Sequence, residues 1–140
     1  AHGITIETDI MIEQYQELPD ALILPGGMPG AANLKNSQSL EVLIQKMRNN
    51  KKLIAAICAS PAVVLAPYGI LDGKKATCYP GFENQLGPKV KFSLERVVSE
   101  GLVVTSRGPG TAMEFSLELA SQLTSPEAAE KLSHSMVVKS

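Results

Sequence analysis

The chain has 140 residues, of which 44% are hydrophobic and 19% are charged, and its formal net charge is −1. These values predict a single globular domain that is large enough to bury a core, and they exclude disorder for most of the chain. With no basic excess and only 4% aromatic residues, nucleic acid is not an expected partner. The longest apolar stretch, residues 53–59, is too short to cross a bilayer, so no membrane partner is expected.

The predicted elements alternate between strands and helices. Strands are predicted at 4–8, 21–24, 53–57, 75–78, 96–98 and 102–105. Helical segments are predicted at 13–18, 38–50, 61–66, 111–123 and 124–132, the last two from capping-box patterns at their first residues, with an extended tail at 136–138. This order predicts an α/β sandwich with a mainly parallel sheet.

The two cysteines, Cys58 and Cys78, are too few for a disulfide framework. They and the two histidines also lack the closely spaced pairs of a structural zinc site, so we expect no metal. Both thiols are expected to be free in a reducing compartment, namely the cytoplasm, with the nucleus and an organelle as alternatives. A Cys58–Cys78 disulfide is a less favoured alternative that requires the Cα atoms to approach within about 7 Å. Cys78 is expected to be a core residue.

One cysteine stands where an apolar strand runs into the start of a helix. Residues 53–57 lead directly to Cys58, and Pro61 suits the first helical turn. A sharp strand-to-helix turn at the carboxyl end of a parallel strand is typical of a nucleophile elbow, and the helix N-terminus favours the thiolate. This pattern predicts that Cys58 is a reactive nucleophile. The alternative is that Cys58 is a small buried core residue.

Candidate partners for this cysteine are main-chain amides rather than a base. Gly26 and Gly27 end the strand at 21–24, and with the amide of Ala59 they would form an oxyanion hole. His2 at the terminus and His134 in a polar run are poor candidates for a base. Thr111 and Glu114 are expected to cap a helix. Arg107 is interpreted either as an anion-binding group at that helix start or as a surface or interface residue.

Three segments together resemble the DJ-1 branch of the DJ-1/PfpI superfamily: Leu24-Pro25-Gly26-Gly27, residues 54–59 and residues 105–111. The resemblance extends from about Asp20 to the C-terminus. The run Cys58-Ala59-Ser60-Pro61, followed by residues 68–71, is most similar to plant members, which often carry two such domains in tandem. The resemblance to the family implies a flavodoxin-like sandwich that is commonly a homodimer. It also implies that Cys58 is the elbow cysteine and is readily oxidised to sulfinate.

The resemblance also implies a site and an activity. It places the oxyanion hole at the amides of Gly27 and Ala59, with a pocket formed by Gly26, Tyr79, Pro80, Arg107 and Pro109. The implied activity is that of a cofactor-independent glyoxalase of the D-lactate dehydratase class, which converts methylglyoxal or glyoxal to the 2-hydroxy acid, with a deglycase activity also ascribed to relatives. Many relatives have a histidine where this chain has Tyr79, and a phenol is a hydrogen-bond donor rather than a base at neutral pH. Tyr79 is therefore either a donor or a passive pocket wall.

Family members begin with a strand, a helix and a further strand segment that carries a glutamate hydrogen-bonded to the cysteine. Residues 1–140 have no counterpart to that segment, so we expect a partial domain whose fold is completed by a separate polypeptide of the same precursor. Other functional interpretations are a cysteine-based oxidative-stress sensor or chaperone without turnover, and an inactive half of a tandem protein. A cysteine hydrolase or amidotransferase is disfavoured, because it needs a positioned histidine.

Overall fold

Six short strands form two sheets in the computed structural model, which describes residues 3–138. In chain order the strands are β1 (Ala21–Leu24), β2 (Leu53–Ile57), β3 (Lys75–Ala76), β4 (Lys91–Phe92), β5 (Val97–Glu100) and β6 (Val103–Ser106). The central sheet has the order β1-β2-β6-β5, and β3 pairs with β4 in a second, two-stranded parallel sheet.

Helices surround the central sheet. The α-helices within residues 3–138 are α1 (Gly30–Lys35), α2 (Gln38–Asn49), α3 (Ala112–Leu123) and α4 (Pro126–Ser135). A π-helical turn spans Pro61–Leu65, and 3-10 turns span Ile12–Gln14, Glu83–Gln85 and Pro109–Thr111. In the part of the chain that the structure describes, no helix has the length and apolar character needed to traverse a membrane.

The central sheet is parallel except at one edge. β1 pairs with β2 in parallel, with Leu22 opposite Ile54, and β2 pairs with β6 in parallel, with Ala55 opposite Val104. β5 returns antiparallel to β6. Because β1, β2 and β6 run in the same direction, the segments that follow their last residues meet at the carboxyl end of the sheet. Cys58 lies at this end.

Successive side chains of β2 pack into two separate cores. Ile54 and Ala56 belong to the larger core, together with buried residues of α1, α2 and the π-helical turn. Leu53 and Ala55 face the opposite way and pack with Phe115 of α3. Continuous apolar sequence is what a parallel strand covered on both faces requires. The observed layers confirm the predicted α/β sandwich with a mainly parallel sheet.

The longest apolar patterns form the predicted elements. The runs at 21–24 and 53–57 are β1 and β2, and the amphipathic segment 38–50 is α2, which ends one residue earlier. α2 buries Leu40, Ile44 and Met47, the face that the spacing predicted. Pro61 opens the next helical segment as expected, although the turn is π-helical rather than α-helical.

Shorter patterns predicted the local structure less well. Residues 4–8 form no strand, and Ile4 and Ile6 are 74% and 80% exposed because no strand lies beside them in the described structure. The strand expected at 75–78 is limited to β3, and the helical turn expected at 13–18 is the 3-10 turn at 12–14. The tail expected to be extended at 136–138 turns back instead, since the Met136 N–H donates to Leu132 O at 3.0 Å.

The two predicted capping boxes are wrong in detail. Thr111 stands at the N-cap of α3, but its hydroxyl makes no capping bond to the helix, because it is hydrogen-bonded to Gly108 and Ser106. At α4 the capping residue is Ser125 rather than Thr124, and Ser125 Oγ accepts from the Ala128 N–H at 3.2 Å. The sequence pattern did not predict α1, β4 or the 3-10 turn at 83–85.

Candidate active site

The cysteine after β2 lies at a strained backbone position. Cys58 has φ 66°, in the left-handed region that is unfavourable for residues with a Cβ. β2 is buried from Leu53 to Ala56, whereas Cys58 is half-buried, and both it and Cys78 are free thiols. The turn therefore carries this side chain out of the buried sheet and toward solvent, as an elbow does.

Two main-chain hydrogen bonds hold Cys58 in this conformation. Its N–H donates to Ser106 O at the end of β6, at 3.0 Å. Its carbonyl accepts from the Tyr79 N–H, which follows β3, at 2.8 Å. Strained φ values persist where the surroundings determine them, and here two separate segments do so. The site is consequently assembled from the ends of β2, β3 and β6.

The segment after β1 also approaches Cys58 closely. A Cβ placed on Gly26 would overlap Cys58 Cβ, and it would lie 2.8 Å from Ile57 O and 3.1 Å from Cys58 Sγ. Only a residue without a side chain fits between these atoms. Gly27 follows with φ +82°, and its carbonyl accepts from the Ala31 N–H in α1 at 2.8 Å. The structure thus brings Gly26 against the Cys58 sulfur. Ala59, the residue after Cys58, is buried.

A buried hydroxyl ties the β1 end to the elbow. Ser60 is fully buried, and its Oγ donates a hydrogen bond to Pro25 O. Ser60 is not among the site residues predicted from the sequence. The available signal was a serine two residues after Cys58 in an otherwise apolar stretch, because a buried hydroxyl needs a partner.

Replacing Ser60 by alanine is expected to lower the free energy of unfolding by about 1–2 kcal/mol, because the bond to Pro25 O is lost inside the protein. The measurement is urea unfolding followed by circular dichroism. Ser116→Ala is the matched control, since Ser116 is exposed and bonds within its own helix to Ala112 O. A Ser60→Ala effect no larger than that of the control would contradict the assigned contact.

Tyr79 forms one wall beside the elbow. Its side chain is partly exposed, and a Cβ on Gly108 would lie 3.0 Å from its Cδ2 atom. The ring also meets Phe82 edge-on, with centroids 6.4 Å apart. Pro80 and Pro109 are exposed residues on the two loops that Tyr79 and Gly108 bring together. The structure therefore places the predicted pocket residues 79, 80 and 109 on adjoining loops.

Arg107 is half-buried directly after β6. Its guanidinium carbon lies 5.9 Å from the centroid of the Phe92 ring, close enough for a cation–π contact. Its Nη1 atom is buried and has no hydrogen-bond partner within residues 3–138. A buried donor without a partner is uncommon, and nothing in the described structure explains this one.

The sequence model of the DJ-1/PfpI family matches residues 1–122 of this chain. The chain belongs to the DJ-1/PfpI family. Protein DJ-1 homolog B of Arabidopsis thaliana is 42% identical over 139 residues, which cover 99% of this chain and 32% of that protein. The glutathione-independent glyoxalase DJR-1.2 of Caenorhabditis elegans is 34% identical over 134 residues, which cover 94% of this chain and 70% of that protein.

The solved structure of oxidized Toxoplasma gondii DJ-1 matches this DJ-1/PfpI chain with a TM-score of 0.88 and 38% identity, over 96% of this chain and 73% of that one. This likeness confirms the flavodoxin-like fold. The Arabidopsis relative confirms the predicted similarity to plant members of the family. This chain spans about one third of the length of that Arabidopsis protein.

Other polar candidates in this DJ-1/PfpI chain lie away from the cysteine or have structural partners. His134 is on α4 with an 81% exposed side chain, 3.8 Å from Glu130. His2 lies outside the described residues. Glu114 forms an ion pair with Arg96 at 2.8 Å rather than capping its helix. Thr111 Oγ1 lies 2.6 Å from Ser106 Oγ, so it supports the strand whose last carbonyl accepts from Cys58.

Cys78 is the buried thiol of this site. It has no exposed surface, which confirms the predicted core position. Burial raises its pKa from 9.0 to about 11, with a smaller contribution from the negative charge of Glu83, while Arg107 opposes the shift. The neutral thiol is therefore the stable form at physiological pH.

The stability of the chain is expected to fall between pH 9 and about pH 11 because of Cys78. Below pH 9 both states hold the proton and the stabilisation is complete; as the pH rises through the folded pKa, about 2–3 kcal/mol is lost. The measurement is urea unfolding at a series of pH values, comparing the native sequence with Cys78→Ala. The variant is expected to lose less stability over this pH interval. Equal losses would show that Cys78 does not carry the effect.

Proposed function

We propose that this chain is a cofactor-independent glyoxalase that converts methylglyoxal or glyoxal to the 2-hydroxy acid through Cys58. The observation that carries the proposal is the half-exposed cysteine in a left-handed turn, with the Gly26 backbone against its sulfur. The relation to a protein named as a glutathione-independent glyoxalase supports it. The small substrate and the D-lactate dehydratase reaction class belong to the same proposal.

The reaction begins when the Cys58 thiolate adds to the aldehyde carbon, C1, of the 2-oxoaldehyde. A C–S bond forms, and the carbonyl electrons become an alkoxide that takes up a proton to give a hemithioacetal. The C1 proton then leaves and a proton is added at C2 through an enediol, which produces a thioester at C1 and a hydroxyl at C2. Water adds to the thioester, the C–S bond breaks, and the acid and the thiol are released.

This sequence of steps balances without a redox cofactor, because C1 is oxidised and C2 is reduced by the same electron pair. The proposed oxyanion donors are the amides of Gly27 and Ala59, which flank the contact between Gly26 and Cys58. Tyr79 is proposed as a hydrogen-bond donor to the substrate or as a wall of the pocket. The half-buried guanidinium of Arg107 is proposed to bind the carboxylate of the product.

The test is methylglyoxal consumption by the purified chain in the absence of glutathione, with chiral chromatography of the product. We expect a 2-hydroxy acid, formed at a rate proportional to protein concentration. When the reaction is run in D₂O, the enediol route places solvent deuterium at C2. Absence of the 2-hydroxy acid above a protein-free control would overturn the proposal.

A second candidate function is a peroxide sensor or chaperone without turnover. It is favoured by the exposure of Cys58 and by the oxidized state named for the Toxoplasma gondii relative. In this case peroxide is expected to add two oxygen atoms to Cys58, detected by intact mass and peptide mapping, while methylglyoxal stays unchanged. Turnover with a saturable rate supports the enzyme instead.

We also propose a companion polypeptide of the same precursor that pairs with the free edge of β1, and a homodimer or tandem-domain assembly. Within residues 3–138, β1 pairs with β2 alone, and Ile23 on β1 is 49% exposed. An unpaired apolar strand edge favours the addition of another strand. Native mass spectrometry of the purified sample tests this: a second chain or a doubled mass supports it, and a lone monomer contradicts it.

Location in the cytoplasm, nucleus or an organelle stays a prediction.

A further inference from the structure

A cavity lies at the end of the sheet opposite Cys58. Its volume is about 500 Å³, within the range of small-molecule sites. Its apolar lining comes from Ile54, Ile70, Val103 and the half-exposed Leu102. Ile54 stands on β2, four residues before Cys58, so the two sites are separated by about 13 Å of backbone.

Basic side chains form the polar part of this lining. Arg48, Lys51, Lys52 and Lys74 line the cavity, against one carboxylate, Asp72. This is a local excess of positive charge in a chain whose formal net charge is −1. Such an excess attracts an anionic ligand.

Most of the basic groups are not neutralised by the protein. Lys52 pairs with Asp20 at 2.7 Å. The cavity's carboxylate, Asp72, is engaged outside it by Lys89 at 2.9 Å. Among residues 3–138, therefore, no carboxylate forms an ion pair with Arg48, Lys51 or Lys74.

These cations are also not needed to cap the end of α2. The Lys51 N–H donates to Arg48 O at 3.1 Å, and the Lys52 N–H donates to Met47 O at 2.9 Å. Asn50 satisfies Lys46 O through both its backbone and its side chain. Because main-chain donors and an asparagine already occupy these carbonyls, the charged ends of Arg48 and Lys51 are free to bind a ligand.

We propose that this cavity binds an organic phosphate monoester with an apolar body. The unpaired cations Arg48, Lys51 and Lys74 match the double negative charge of a phosphate monoester. The apolar lining and the volume match a flat or branched hydrocarbon group, which inorganic phosphate lacks. This site is separate from Cys58 and does not depend on the glyoxalase function.

The probe for this site is 1-naphthyl phosphate, titrated into the whole chain by calorimetry and by amide chemical shifts in NMR spectra. We expect saturable binding, with the largest shifts at Ile54, Ile70 and Gly101. The double variant Lys51→Gln/Lys74→Gln is expected to weaken binding by about tenfold or more, since two charge-assisted contacts are removed. Lys35→Gln/Lys131→Gln removes the same charge elsewhere and is expected to leave binding unchanged.

Neutral 1-naphthol tests the apolar part of the ligand alone, and inorganic phosphate tests the charged part alone. Each is expected to bind more weakly than the ester. Leu102→Ser provides a second variant that alters the apolar lining while keeping every cation. It is expected to weaken binding of the ester while leaving binding of inorganic phosphate unchanged. The proposal is overturned if the ester does not bind, if its shifts centre on Cys58, or if both double variants weaken it equally.

Discussion

Replacing Cys58 by alanine is expected to reduce methylglyoxal turnover to the rate in buffer alone while leaving the fold intact. The sulfur is the only heavy atom removed, and the other thiol of the site, Cys78, is fully buried and neutral, so it does not replace Cys58 as the nucleophile. Because Cys58 is half-buried and its main-chain bonds to Ser106 and Tyr79 are retained, the free energy of unfolding should change by about 1 kcal/mol or less. The measurements are kcat/KM for methylglyoxal and urea unfolding.

Three variants serve as matched controls for this result. Cys58→Ser keeps the shape with a weaker nucleophile and is also expected to be inactive. Cys58→Gly is expected to be inactive but at least as stable as Cys58→Ala, since glycine adopts φ 66° without a Cβ penalty. Cys78→Ala removes the buried thiol and is expected to retain turnover. Retained turnover in folded Cys58→Ala would exclude the cysteine mechanism.

Gly26→Ala is expected to damage both stability and reactivity. The new methyl group would overlap Cys58 Cβ and lie 2.8 Å from Ile57 O, so backbone atoms rather than a flexible side chain must move. Overpacking of this kind costs about 3 kcal/mol of unfolding free energy. The displaced elbow would also lose its alignment with the proposed oxyanion donors, so alkylation of Cys58 by iodoacetamide should slow in the folded variant.

Gly30→Ala is the control for this substitution. A Cβ on Gly30 meets no atom within 4 Å, and the residue begins α1, where alanine is favoured over glycine. It is expected to be neutral or to stabilise the chain by about 0.5–1 kcal/mol. If Gly26→Ala matched Gly30→Ala in unfolding free energy and in the alkylation rate of Cys58, the close approach of the two loops would be wrong.

The amino-acid sequence alone predicted the elements whose pattern is strong. Two apolar runs ended by Pro-Gly-Gly and by Cys58 became β1 and β2, because a strand covered on both faces needs continuous apolar residues. The spacing of Leu40, Ile44 and Met47 predicted α2 for an equally local reason. The segment 4–8 shows the limit of such patterns, since alternation produces a strand only where another strand is available to pair with it.

The sequence also indicated the candidate nucleophile, because the strand, Cys58 and Pro61 are contiguous and encode the elbow locally. Tertiary structure alone decided what surrounds that sulfur. Gly26 reaches it through the pairing of β1 with β2, Ser60 joins Pro25 across 35 positions, and the Tyr79 N–H donates to the Cys58 carbonyl from the loop that follows β3. These contacts, like the basic cavity at the opposite end, depend on strand order and loop packing, which no local periodicity specifies.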